Sequence, residues 1–165
     1  VNYLHTNNIS PLSDLESRLN GYSETASSLK FSLADKEQRI KKLDRLVQLA
    51  GFYREGKPVY DKLNEIKWKK KREEYAAQHE RTLDLFYMAR RELKPHLADG
   101  NKVPIKSWQE EKAALEQEYA AERQQLSAIQ QDLKSIRQIH YAIESIRHEQ
   151  ERAEQTKSHK HEIEI

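Results

Sequence analysis

Apolar residues recur through the first third of the chain at alternating steps of three and four. From Leu12 the series runs Leu15, Leu19, Tyr22, Ala26, Leu29, Leu33, Lys36, Ile40, Leu43, Val47 and Ala50, and only Lys36 breaks it. That alternation is a 3.5-residue period, which keeps one stripe of a helix facing a second helix along its length. Ser10 or Ser13 can cap the start, with Pro11 in the first turn, where a missing N–H costs little. Gly21 weakens the helix by about 1 kcal/mol relative to Ala. The pattern stops at Gly51, so a long heptad helix is predicted over residues 11–51, after an extension at 1–10.

A second seam closes the chain. Ser107 with Glu110 three residues on has the arrangement of a capping box. Trp108, Leu115, Tyr119, Leu126, Ile129, Leu133, Ile136, His140 and Ile143 follow, interrupted early by Lys112 and Glu122. Near the end Ile139 and Ile146 join, so the stripe widens. The pattern predicts a second long helix over 107–152. At about 1.5 Å per residue each rod would be roughly 60–70 Å long. Similar length and one seam apiece argue for antiparallel pairing within the chain, and pairing between two chains is the alternative. Residues 153–165 carry few packing residues and read as a disordered polar tail.

Residues 52–106 read as a short helical pair inserted between the arms. Pro58 suits a first helical turn, followed by Val59, Tyr60, Leu63, Ile66 and Trp68. A second apolar set, Tyr75, Ala76, His79, Leu83, Phe86, Tyr87 and Leu93, ends at Pro95 and the turn Asp99-Gly100-Asn101. No Gly or Pro separates Trp68 from Tyr75, which leaves the boundary between the two open. The expected fold is therefore all-α, a long antiparallel coiled-coil-like hairpin with two shorter helices between its arms.

Composition agrees and removes whole classes. Of 165 residues 36% are hydrophobic and 34% charged, with four glycines and four prolines, too few turn formers for a sandwich or a dinucleotide-binding sheet. There is no cysteine, so disulfides, thiol catalysis and thiolate metal sites are excluded. No apolar run approaches the roughly 20 residues that cross a bilayer, and no signal pattern opens the chain, which points to the cytoplasm. Val1 in place of an initiating Met points to a piece of a longer protein. The net charge of +2 supplies no global attraction for nucleic acid, so only local clustering can.

One cluster stands out. Lys67, Lys69, Lys70, Lys71 and Arg72 place five cations in six residues around Trp68, with Lys62 just upstream. Lysines can hold phosphates while an indole stacks on a base. Such a run supports sequence-independent binding of single- or double-stranded DNA and encodes no base readout. Glu73 and Glu74 follow at once and oppose the field, so a solvated helix face is the competing reading.

The seven histidines do not assemble a metal site: His5 lies near the start, His159 and His161 sit in the tail, His140 on the seam, His79 on an apolar face, and His96 and His148 near helix ends. The carboxylates lack apolar settings that would tune them for acid–base work. No phosphate-binding loop, nucleophile elbow or dinucleotide fingerprint is present. No catalytic residue, metal or cofactor is expected, and the chain reads as a non-enzyme.

Residues 57–115 carry a resemblance. Lys57-Pro58-Val59-Tyr60 leads through Ile66-Lys67-Trp68-Lys69-Lys70-Lys71-Arg72 to Tyr75. His79-Glu80 and Leu83-Asp84-Leu85-Phe86-Tyr87-Met88-Ala89 follow, and Val103-Pro104-Ile105-Lys106-Ser107-Trp108 opens the last helix. This resembles the helical region after the nuclease domain in relaxases, the mobilisation proteins of Gram-positive conjugative and integrative elements. Relaxases nick transfer DNA with a tyrosine and a histidine-held metal in a separate N-terminal domain. The chain departs from the family there, since Tyr3 and His5 lie in no histidine-rich, sheet-forming segment, and no nicking residue carries over. The resemblance implies an accessory role in assembling a DNA-transfer complex, through DNA or other conjugation proteins. The alternative is a structural coiled coil that forms a homodimer or docks on another protein without nucleic acid.

Overall fold

The computed structural model describes residues 11–97 and 102–163. Four helices account for nearly all of them: α1 (Pro11–Glu65), α2 (Lys69–Gln78), α3 (Glu80–Leu93) and α4 (Ile105–Ile163), with one 3₁₀ turn at Lys94–His96. The fold is the all-α hairpin that the two seams predict, and no strand occurs among the described residues. No described helix is long and apolar enough to cross a membrane.

The chain divides into two compact units, Ala34–Ala120 and Val1–Leu33 with Ala121–Ile165. In the second, the start of α1 runs antiparallel to the end of α4. Ser32 Oγ donates to Glu122 Oε1 at 3.0 Å, and His140 Nε2 lies 3.5 Å from Glu16. Partner numbers fall as α1 advances, which is the antiparallel register. Ala26 and Leu133 are the buried residues of this unit among those described.

The unit Ala34–Ala120 holds the main core. Leu43, Leu46, Leu49 and Ala50 of α1 meet Ala89 and Leu93 of α3 and Trp108 of α4, so three helices share one apolar centre. Heptad positions that carry charge are answered across the pair. Lys36 lies 3.6 Å from Glu118, and Lys112 pairs with Asp44. Arg39 grips Glu111 in a two-pronged bond of 2.7 and 3.0 Å. Polar seam residues thereby fix the register that leucines alone would leave free to slide.

Helix boundaries differ from the sequence expectation at three places. α1 does not stop at Gly51 but continues through Gly56 and Pro58 to Glu65. The reason for one of these residues is visible. A Cβ on Gly56 would fall 2.9 Å from Phe86 Cγ and closer still to its Cβ, so glycine is what lets α3 seat against α1. Phe86 drops into that gap and stacks on Tyr53 and Tyr60, with ring centroids at 5.2 and 4.9 Å. Pro58 deprives the Arg54 carbonyl of its intrahelical donor, and the aromatic packing on both sides holds the helix despite it.

α4 begins at Ile105, after Pro104, whose carbonyl accepts the Trp108 N–H at 3.1 Å. Ser107 is therefore inside the first turn and is not the cap. At the other end the segment from 153 to 163 is helical and solvent-exposed, where disorder was expected. Glu, Gln, Arg, Lys and Ala favour helix without burial, and Arg147–Glu151 adds an exposed i,i+4 pair.

Candidate nucleic-acid interface

The break between α1 and α2 falls inside the basic run. Lys62 occupies the last turn of α1, Lys67 and Trp68 lie in the three-residue break, and Lys69, Lys70, Lys71 and Arg72 form the first turn of α2. All seven side chains are exposed. Trp68 has extended backbone at φ −84° and ψ 117°, and its carbonyl accepts the Arg72 N–H at 2.9 Å to start the helix. Its indole is 76% exposed, whereas Trp108 is 8% exposed in the core. An indole left in water among cations costs apolar hydration that packing would have relieved.

The cations differ in what they already touch. Lys62 Nζ sits 5.6 Å from the Tyr75 ring centroid, and Arg72 Nη2 donates to Asn64 Oδ1 at 3.3 Å. Lys67, Lys69, Lys70 and Lys71 pair with no carboxylate among the described residues. Lys57, by contrast, is committed to Asp61, whose carboxylate raises the Lys57 ammonium above its ordinary range. Glu65, Glu73 and Glu74 are exposed nearby and temper the positive field.

Behind the bend lies a second set of polar groups that the spacing of the basic run does not reveal. Arg90 of α3 donates through Nη1 to the Tyr60 hydroxyl at 3.3 Å, and its guanidinium carbon stands 5.5 Å from the ring centroid. The Asn64 amide and then the Arg90 guanidinium pull the Tyr60 phenol below its ordinary ionisation range, helped by the nearby Lys57 charge. Asn64 therefore faces Tyr60 on one side and Arg72 on the other. Only the Tyr60–Asn64 spacing of four was available in sequence; Arg90 arrives from another helix.

The described histidines stay apart. His79 sits at the α2–α3 junction with Nδ1 3.0 Å from the Tyr75 carbonyl oxygen and its ring 4.3 Å from the Tyr75 ring, a capping role. His159 lies 4.0 Å from Glu162, and His148 lies 3.7 Å from Glu151. Among the described residues no three histidines or carboxylates gather as a metal site. Tyr3 and His5 lie outside the described residues.

The arrangement defines a helical protein with an exposed basic–aromatic bend and suits phosphate contact and ring stacking. Compared with known protein families, curated proteins and solved structures, the chain matches none.

Proposed function

We propose that this chain is a non-catalytic helical module that holds a nucleic-acid backbone at the bend between α1 and α2, as an accessory part of a relaxase-type DNA-transfer complex. The observation that carries the DNA contact is Trp68, 76% exposed with unpaired lysines on both sides. Lys67, Lys69, Lys70 and Lys71 would neutralise phosphates, and Trp68 would stack on a base. Contacts of this kind are sequence-independent, and their strength falls steeply with salt. The relaxase setting rests on the resemblance over residues 57–115.

Anisotropy of a labelled DNA oligonucleotide, titrated at low and moderate salt, tests the contact. Replacing Lys69, Lys70 and Lys71 together by Ala should weaken binding and lower the logarithmic salt slope by about 2 to 3, at roughly 0.7–0.9 per phosphate contact. Absence of binding at low salt, or a triple variant that binds like the wild type, would remove it.

A second reading has its own support. Ile139 and Ile146 of α4 are 50% and 56% exposed, a surface suited to a protein partner in a structural coiled coil. A concentration-dependent dimer in sedimentation, with no DNA binding, would favour that reading.

A further inference from the structure

We infer that the nucleic-acid surface does not end at the basic run but continues along α1 through Asn64 and Tyr60 to Arg90 of α3, so that one strand contacts both ends. The inference rests on the proposed DNA contact at the bend and extends it to residues that the basic run does not include. Three observations carry it. Arg72, the last cation of the run, bonds Asn64 at 3.3 Å. Asn64 stands one helical turn from Tyr60, and Tyr60 accepts from Arg90 at 3.3 Å. Neither Arg72 nor Arg90 pairs with a carboxylate among the described residues, and both are exposed.

The dimensions suit a polynucleotide. Asn64 and Tyr60 are four residues apart, about 6 Å along the helix axis. A strand advances about 3.4 Å per nucleotide in a duplex, so the two residues that hold the arginines, Tyr60 and Asn64, fall within the span of about two nucleotides. A guanidinium has five N–H donors, and Arg90 uses one on Tyr60. The remaining fork can take a phosphate in two-pronged fashion. Tyr60 and Asn64 hold the arginines in place between them, which lowers the ordering cost of binding. The phenol's lowered ionisation range reflects its hydrogen bonding, first to the Asn64 amide and then to the Arg90 guanidinium. Asp61 and Glu65 lie on the same stretch of α1; Asp61 is neutralised by Lys57, which leaves Glu65 there, with Glu73 and Glu74 of α2, as the opposing charges.

Anisotropy titrations of a labelled oligothymidylate over a range of salt decide it, using the whole chain and the variants Arg90→Ala, Arg90→Lys, Tyr60→Phe and Arg91→Ala. Arg90→Ala should weaken binding several-fold and lower the logarithmic salt slope by about 1. Arg90→Lys should restore the slope but not the full affinity, since an ammonium lacks the fork. Tyr60→Phe should weaken binding with the slope retained, because the positioning contact is lost and the charge is kept. Arg91→Ala removes the same charge from the neighbouring residue and should leave both quantities unchanged. Wild-type binding with an unaltered Arg90→Ala slope overturns the inference and leaves the contact at the bend standing. Equal losses in Arg90→Ala and Arg91→Ala also overturn it, because bulk charge would then suffice. Failure of the wild type to bind at low salt removes the reading beneath it.

Discussion

Replacing Gly56 by Ala probes the joint on which the central unit depends. The new Cβ would lie 2.9 Å from Phe86 Cγ, 3.0 Å from Cδ2 and closer still to Cβ, distances that no ordinary van der Waals contact allows. Phe86 cannot escape by changing rotamer, because its own Cβ is in the way. Its ring is also held between Tyr53 and Tyr60. α3 would have to retreat from α1, and overpacking of this kind costs about 1–3 kcal/mol. Against that, Ala in place of a helical Gly contributes about 1 kcal/mol. The steric term should be at the upper end, so the net loss is about 2 kcal/mol. For a chain of this size that lowers Tm by about 4–8 °C. Gly21 and Gly51 are internal controls, since each lies in the same helix with nothing within 4 Å of an added Cβ. Gly21→Ala and Gly51→Ala should each raise Tm by about 2–4 °C. Thermal melts followed by circular dichroism read all three. A Gly56→Ala chain as stable as the two controls would refute the close approach of α3 and, with it, the placing of Arg90 beside Tyr60.

Hydrogen bonding to Arg39 holds Glu111 below its ordinary value of 4.5. Its stabilising share is therefore present above that value and lost as pH falls through the lower folded-state one. Wild type should melt above Glu111→Gln at neutral pH, and the gap should close below about pH 4.5; a constant gap would mean that the ion pair is immaterial. Leu43 is fully buried in the three-helix core, and Leu43→Ala should cost about 2–5 kcal/mol in urea unfolding. Amide exchange should be slowest around Leu43–Ala50 and Ala89–Leu93. It should be faster where the start of α1 meets the end of α4, since Ala26 and Leu133 are the buried residues described there. Equal protection in both units would contradict this.

The long helices were legible because a 3.5-residue seam is a property of the chain itself. Lys36, Lys112 and Glu122, which interrupt it in sequence, turn out to meet Glu118, Asp44 and Ser32 across the pair. The end of α1 is not legible because Gly51 and Pro58 look like punctuation in the sequence. Gly56 is instead a contact residue, and no local rule announces that an aromatic from α3 will sit on it. The break at residues 66–68 carries neither Gly nor Pro; it is imposed by the return of Phe86, Ala89 and Leu93 onto α1, a tertiary demand. The helical tail was misjudged by equating lack of burial with lack of helix. Of the candidate site, the lysines and Trp68 were readable as a charge run. Arg90 was not, because only folding brings it to Tyr60.

The two tryptophans occupy opposite surroundings, one sealed behind leucines and the other standing in water beside lysines. Their fluorescence should separate accordingly, with blue-shifted emission from Trp108 and red-shifted, readily quenched emission from Trp68. A single-tryptophan chain retaining Trp108 becomes an intrinsic gauge of unfolding, and one retaining Trp68 becomes an optical sensor for whatever settles on the bend.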